Sequence, residues 1–162
     1  GSLIISMFQL VGERTYESKN IMSMSDLEQI RDVVYRYARG CDRLDQTLLA
    51  SCLHPQLEMV VPNLPPMGGP DQAATTVGIL TDMFELTQHR ISQCHYTVDG
   101  DLAEGECYCV AAHLLKERRD GKGVVDEWSI RYQDKLERHD GEWLFMRREL
   151  IIDWKEERLV SL

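Results

Sequence analysis

The reactive side chains of this sequence are few. Histidines stand at His54, His89, His95, His113 and His139. An imidazole with an unperturbed pKa near ~6.5 can take and return a proton near neutrality. Cys107, Cys109, Ala111 and His113 alternate along one segment, and on a strand they share a face. Small residues on that face leave room beside whatever packs there. His113 then either projects into that room or sits as a hydrogen-bonded core histidine. His89 stands where a helical pattern gives way to a strand-like one, and such junctions often line the mouth of a cavity. Asp42 falls on the flank of an apolar helix stripe, near Arg31, Tyr35 and Ala38. Its plain reading is a solvated acid paired with an arginine. His54 is followed by Pro55 and His139 lies in a turn, so both read as surface; His95 fits either environment.

Cysteines occur at Cys41, Cys52, Cys94, Cys107 and Cys109. An odd count cannot pair fully within one chain, and no C-x-x-C spacing signals a zinc ribbon or a thioredoxin-type site. Cys107 and Cys109 read as two small buried hydrophobes rather than metal ligands. Reduced thiols fit the cytoplasm. No phosphate loop or dinucleotide motif is present, and no metal or other cofactor is expected.

The elements that must hold these residues fall into two halves. Ser25 is a plausible N-cap with Asp26 and Glu28 in the first turn. Leu27, Ile30, Val34, Tyr37 and Cys41 recur at helical spacing. A short helix over Gln46–Leu53 follows, closed by His54-Pro55, then a strand over Leu57–Val61. Prolines and glycines from Pro62 to Pro70 make a rigid loop. Asp71 could cap a third helix reaching about Leu86. The second half is strand-like: Arg90–Val98, Glu104–Lys116, Val124–Arg138 and Trp143–Trp154. Turns at Asp99-Gly100, Asp120-Gly121 and Asp140-Gly141 join them. Helices followed by an antiparallel meander predict an α+β domain. In the third long strand, Trp128, Ile130 and Tyr132 should face inward.

The 162 residues suit one domain with a real core. The net charge of -9 opposes binding to phosphate backbones or anionic lipid. No apolar run is long enough to span a membrane. Gly1-Ser2 looks like a cleavage scar. Residues 1–24 are expected to be an arm, residues 25–155 the domain and residues 156–162 a tail. The alternate face of the second long strand carries Tyr108, Val110 and Ala112. An apolar outer sheet face predicts a homodimer or homotrimer.

Four segments then carry a resemblance: Ile30 to Asp45 (IRDVVYRYARGCDRLD), Thr87 to Gly100 (TQHRISQCHYTVDG), Tyr132 to Trp143 (YQDKLERHDGEW) and Arg147 to Trp154 (RRELIIDW). In order and spacing, over Asp26 to Trp154, the chain resembles the SnoaL-like branch of the nuclear transport factor 2-like superfamily. That branch includes polyketide cyclases, scytalone dehydratase and hexachlorocyclohexane dehydrochlorinase. The resemblance implies a cone-shaped barrel, with three N-terminal helices packed on a curved antiparallel sheet around one deep pocket. It makes Asp42 the acid of an Asp-His pair and His89 the base used by the dehydrochlorinase. It makes His113 a second catalytic histidine, the one paired with the aspartate in scytalone dehydratase. Tyr132, Trp128, Tyr37, Val61 and Cys109 are expected to contact substrate. Two phenols of scytalone dehydratase fall here on Cys41 and Val61, which counts against the same substrate and the same dehydration. The expected activity is that of a cofactor-independent lyase or isomerase acting on a small, largely apolar, cyclic molecule. The alternatives are a non-catalytic ligand-binding or interaction module and the small subunit of a ring-hydroxylating dioxygenase.

Overall fold

The computed structural model describes residues 24–162. The expected arm over residues 1–24, Met24 apart, lies outside the described residues. Helix α1 (Asp26–Arg43) opens with a reciprocal cap: Glu28 N–H donates to Ser25 Oγ, and Ser25 N–H donates to the Glu28 carboxylate. Its apolar stripe buries Ile30, Val33, Val34, Tyr37 and Cys41. Helix α2 (Gln46–Ala50) is capped by Asp45, which accepts from Leu48 N–H at 2.9 Å. Strands β1 (Leu53–Val60) and β2 (Met67–Gly68) follow, then α3 (Gln72–Met83). Strands β3 (Phe84–Asp99), β4 (Leu102–Arg119), β5 (Lys122–His139) and β6 (Glu142–Val160) complete the domain.

These strands form one six-stranded sheet in the order β2-β1-β6-β5-β4-β3. Strands β3 to β6 are an antiparallel meander. Asp120-Gly121 and Asp140-Gly141 turn with positive φ at both residues (53° and 72°, 50° and 84°), the conformation that matches strand twist in a tight hairpin. Helix α1 packs against β3 and β6. The core beneath it contains Ile30, Val34, Leu49, Cys107, Ala111, Trp143 and Phe145, each at most 1% exposed.

Five expectations change. The sheet is curved but open, with β2 and β3 as its edges, so it is not a closed barrel. It is also mixed: β1 lies parallel to β6, as a strand separated from its neighbour by a long crossover is free to do. Residues 156–160 are strand rather than tail, since Glu156 pairs with Glu127 and Val160 with Gly123. Charged Lys155-Glu156-Glu157-Arg158 reads as solvent-facing chain, yet ladder bonds use only backbone groups. The third helix ends at Met83, and His54-Pro55 lie within β1 instead of closing α2.

Several bulges interrupt the ladders, and two of them bear directly on the site. Ile91 pairs with Cys109 and Cys94 with Cys107, so β3 carries one extra residue between them. Leu136 pairs with Phe145 and Lys135 with Arg147, which leaves Met146 as the extra residue of β6.

Candidate active site

Asp42 sits in the last turn of α1, facing the start of β3. Its carboxylate accepts from the His89 backbone N–H at 2.9 Å, from Thr87 Oγ1 at 3.0 Å and from His89 Nδ1 at 2.7 Å. Burial alone would raise its pKa. The bonds from the His89 ring and backbone, and from Thr87, outweigh burial and hold it below the usual carboxylate value. The charged form of Asp42 is therefore secured by donors on one short stretch of β3. A carboxylate accepts only, so His89 Nδ1 carries a proton, and in the neutral ring Nε2 is the nitrogen with the free lone pair. The His89 side chain is 7% exposed and that of Asp42 22%.

His89 lines an apolar cavity of about 290 Å³, and Asp42 stands behind it, outside the cavity wall. From α1 come Tyr37 and Cys41, from β1 Met59, and from α3 Ile79, Leu80 and Met83. Strand β5 adds Trp128, Ile130 and Tyr132, and β6 adds Arg148 and Leu150. Apolar residues dominate the lining, which suits a largely apolar molecule. Other depressions open on polar surface, among them one around His95 and Arg147 and two touching Asp42. The expected single pocket is thus the apolar one among several hollows.

His113 also faces the cavity but is not bonded to Asp42. Its Nδ1 lies 3.0 Å from the Asp126 carbonyl oxygen, to which it must donate. The ring is held between Phe84 and Trp128, with centroids 4.3 and 4.4 Å away. It meets His89 edge-on at 6.0 Å. Burial first, and then the neighbouring His89, bring its pKa down to about 4. The carboxylate pairing in this chain belongs to His89, and His113 is a neutral, hydrogen-bonded histidine on the cavity wall.

The sequence reading missed Arg148. It is 1% exposed, reaches the cavity wall and pairs with the fully buried Asp134, its Nε 3.2 Å from Oδ1. Tyr96 donates to the other oxygen of Asp134 at 2.7 Å. The guanidinium packs on the rings of Tyr132, Phe145 and Tyr37, at 3.7, 4.2 and 4.3 Å. Its Nη1 is buried with no protein partner. A permanent cation beside an apolar cavity, with an unused donor, suits an oxygen or halogen on a bound molecule.

Of the residues expected to contact substrate, Tyr37, Val61, Trp128 and Tyr132 line the cavity. Cys109 does not: it is 1% exposed and belongs to the packed core. His54 is buried, not superficial, because β1 carries it into the sheet, where it meets His139 at 4.7 Å. His139 is half-buried and His95 exposed. Among the described residues, no three His, Cys, Asp or Glu side chains are arranged to hold a metal.

An open curved sheet, three preceding helices and a histidine-bearing cavity define a family, and a family model confirms it. Residues 22–149 match the SnoaL-like domain, and the chain belongs to that family. A candidate scytalone dehydratase from Novosphingobium aromaticivorans DSM 12444 is 23% identical, with 83% of this chain and 89% of that one covered and a TM-score of 0.71. The LinA-type3 hexachlorocyclohexane dehydrochlorinase of Novosphingobium barchaimii LL02 is 19% identical, covering 83% and 91% at a TM-score of 0.72. The Kfla4162 protein of Kribbella flavida is 25% identical, covering 81% and 93% at 0.72. Comparison with curated protein sequences finds no match.

Proposed function

We propose that this protein is a cofactor-independent lyase or isomerase, with His89 as the base and Asp42 as its orienting carboxylate. The observation that carries the proposal is the 2.7 Å bond between His89 Nδ1 and Asp42 Oδ1 on a histidine that lines an apolar cavity. The carboxylate fixes the tautomer and stabilises the imidazolium formed when Nε2 takes a proton from carbon. The apolar lining around the His89 ring screens that pairing less than bulk water would. Arg148 Nη1 then offers a donor to the oxygen or leaving atom on which negative charge collects. Neutral His113 keeps an Nε2 lone pair as a hydrogen-bond acceptor, and Tyr132 and Tyr37 supply wall. The substrate is a small, largely apolar, cyclic molecule bearing one polar atom. β-Elimination or proton migration both fit, and the names of two similar structures, a dehydratase and a dehydrochlorinase, are those of eliminating enzymes. Reduced thiols fit a cytoplasmic setting.

The test is a panel of cyclic ketones, β-hydroxy ketones and halogenated rings in deuterated buffer, followed by NMR for elimination or exchange at carbon. His89→Ala should lower turnover by about 10²-fold or more, and Asp42→Asn should lower it while the fold is kept. Unchanged turnover in both variants overturns the assignment. Ring binding seen by Trp128 fluorescence, with no turnover of any panel member, favours a ligand-binding module instead.

A further inference from the structure

We infer that Cys94 and Cys107 form a reversible dithiol–disulfide pair, oxidised by hydroperoxides, that clamps β3 to β4 beside the cavity. The two residues are direct partners across the β3–β4 ladder. Directly opposed residues of an antiparallel pair have Cα atoms roughly 4.5–5.5 Å apart. A disulfide needs roughly 4.4–6.8 Å between Cα atoms, a window within which directly opposed ladder positions fall. The two thiols lie close enough to perturb each other's titration, while Cys94 Sγ donates to the Ser92 carbonyl oxygen at 3.7 Å. The remaining cysteines lack such a partner in the ladder: Cys109 pairs with Ile91 and Ile130, while Cys41 and Cys52 are buried elsewhere.

The two sulfurs differ in a way that gives each a role. Cys94 is half-buried, on the edge strand, next to the β3 bulge; Cys107 is fully buried. The neighbouring Cys107 thiol draws the Cys94 thiol below its ordinary pKa against the effect of burial, and the same neighbourhood, with burial, pushes Cys107 up. Cys94 is therefore the reacting sulfur and Cys107 the resolving one. In the first step the Cys94 thiolate attacks one oxygen of hydrogen peroxide. The O–O bond breaks, and the departing hydroxide takes a proton to leave as water. In the second step the Cys107 sulfur attacks the Cys94 sulfenic acid. The S–O bond breaks, and hydroxide leaves with the Cys107 proton as a second water. Two thiols and one peroxide become one disulfide and two waters; sulfur gives up two electrons and peroxide accepts them. A thiol reductant reverses the bond by exchange.

The clamp reaches the cavity through one contact. Arg148 Nη2 donates to Cys107 Sγ at 3.5 Å, and Arg148 lines the cavity wall. Conversion of that sulfur from thiol to disulfide changes the acceptor that Arg148 rests on. The clamp forms whatever the cavity binds, because strand register alone brings the two cysteines together.

The experiment treats the intact protein with hydrogen peroxide, blocks free thiols with iodoacetamide, and maps peptides by mass. The expected product joins the Cys94 and Cys107 peptides with the loss of two hydrogens, and dithiothreitol restores both thiols. Cys94→Ala should abolish the cross-link and Cys94→Ser should do the same, so a folding defect in one variant leaves the other as control. The NMR resonances of the Arg148 guanidinium should move on oxidation of the natural chain and stay in place in either variant. Oxidation that stops at Cys94 as a sulfinic acid, or cross-links that scatter over other cysteine pairs, would overturn the inference.

Discussion

His89 and His113 are the same side chain in two electrical settings. One has its Nδ1 proton on a carboxylate, the other on a backbone carbonyl. A carboxylate stabilises the imidazolium; the Asp126 carbonyl does not offset the burial of the His113 ring between Phe84 and Trp128. For His113 the folded pKa of about 4 lies below the ordinary value of 6.5. Between those values the unfolded chain binds more protons than the folded one, so stability rises with pH across the interval. The contribution is complete above the ordinary value and lost as pH falls towards about 4. The size of the interval corresponds to about 3 kcal/mol. In urea titrations at about pH 7 and about pH 4, the natural chain should lose about 3 kcal/mol more than His113→Gln does. Equal losses would mean that His113 is already charged in the folded protein.

At the scale of elements, bulges decide which residues reach the cavity. Strict alternation from Trp143 and Phe145 would send Arg147 inward. The extra residue Met146 reverses the phase, so that Arg148 and Leu150 face the cavity and Arg147 meets Glu58 and Glu149 near the surface. Nothing in the residue types around Phe145-Met146-Arg147-Arg148 marks a bulge, which is why Arg148 was illegible. The paired face of Cys107, Ala111 and His113 was legible because β4 runs without a bulge through that stretch. The helix stripes and Asp-Gly turns were legible too, each being a short-range pattern. Which histidine meets Asp42 depended on long-range pairing, for Asp42 and His89 are joined only when α1 packs on β3. The parallel docking of β1 was hidden for the same reason. Gly105 illustrates how closely these strands approach: a Cβ there would stand 2.0 Å from the His95 carbonyl oxygen and 2.7 Å from Tyr96 Cα. Backbone cannot swing aside as a side-chain tip can. Gly105→Ala should destabilise the fold by about 1–3 kcal/mol, the usual cost of overpacking, with the thermal midpoint as readout. An unchanged midpoint would show that β3 yields there. Since Tyr96 also donates to Asp134, the same variant should disturb Arg148.

For the whole molecule, the helices cover one face of the sheet and leave the other open. Register places Tyr108, Arg131 and Ile151 in one row of that outer face, and Val110, Ser129 and Trp154 in the next. Tyr108 is 41% exposed and Trp154 64%. A contiguous patch with two large aromatics is an unusual burden for a solvated sheet. The net charge of -9 works the other way, because copies of an acidic chain repel. The arginines reduce that repulsion locally: Arg131 is paired with Asp153, and Arg90 and Arg158 converge on Glu127. The outer face is thus close to neutral where it is most apolar, and a second copy of this chain is the partner we propose for it. Sedimentation at micromolar concentration should give a dimer or trimer. Trp154→Glu adds a buried, unpaired charge to such an interface, and should give monomers that keep the fold by circular dichroism. Added salt should tighten the natural assembly by screening the net charge. A monomeric natural chain, or an assembly indifferent to Trp154→Glu, would place the contact elsewhere or remove it.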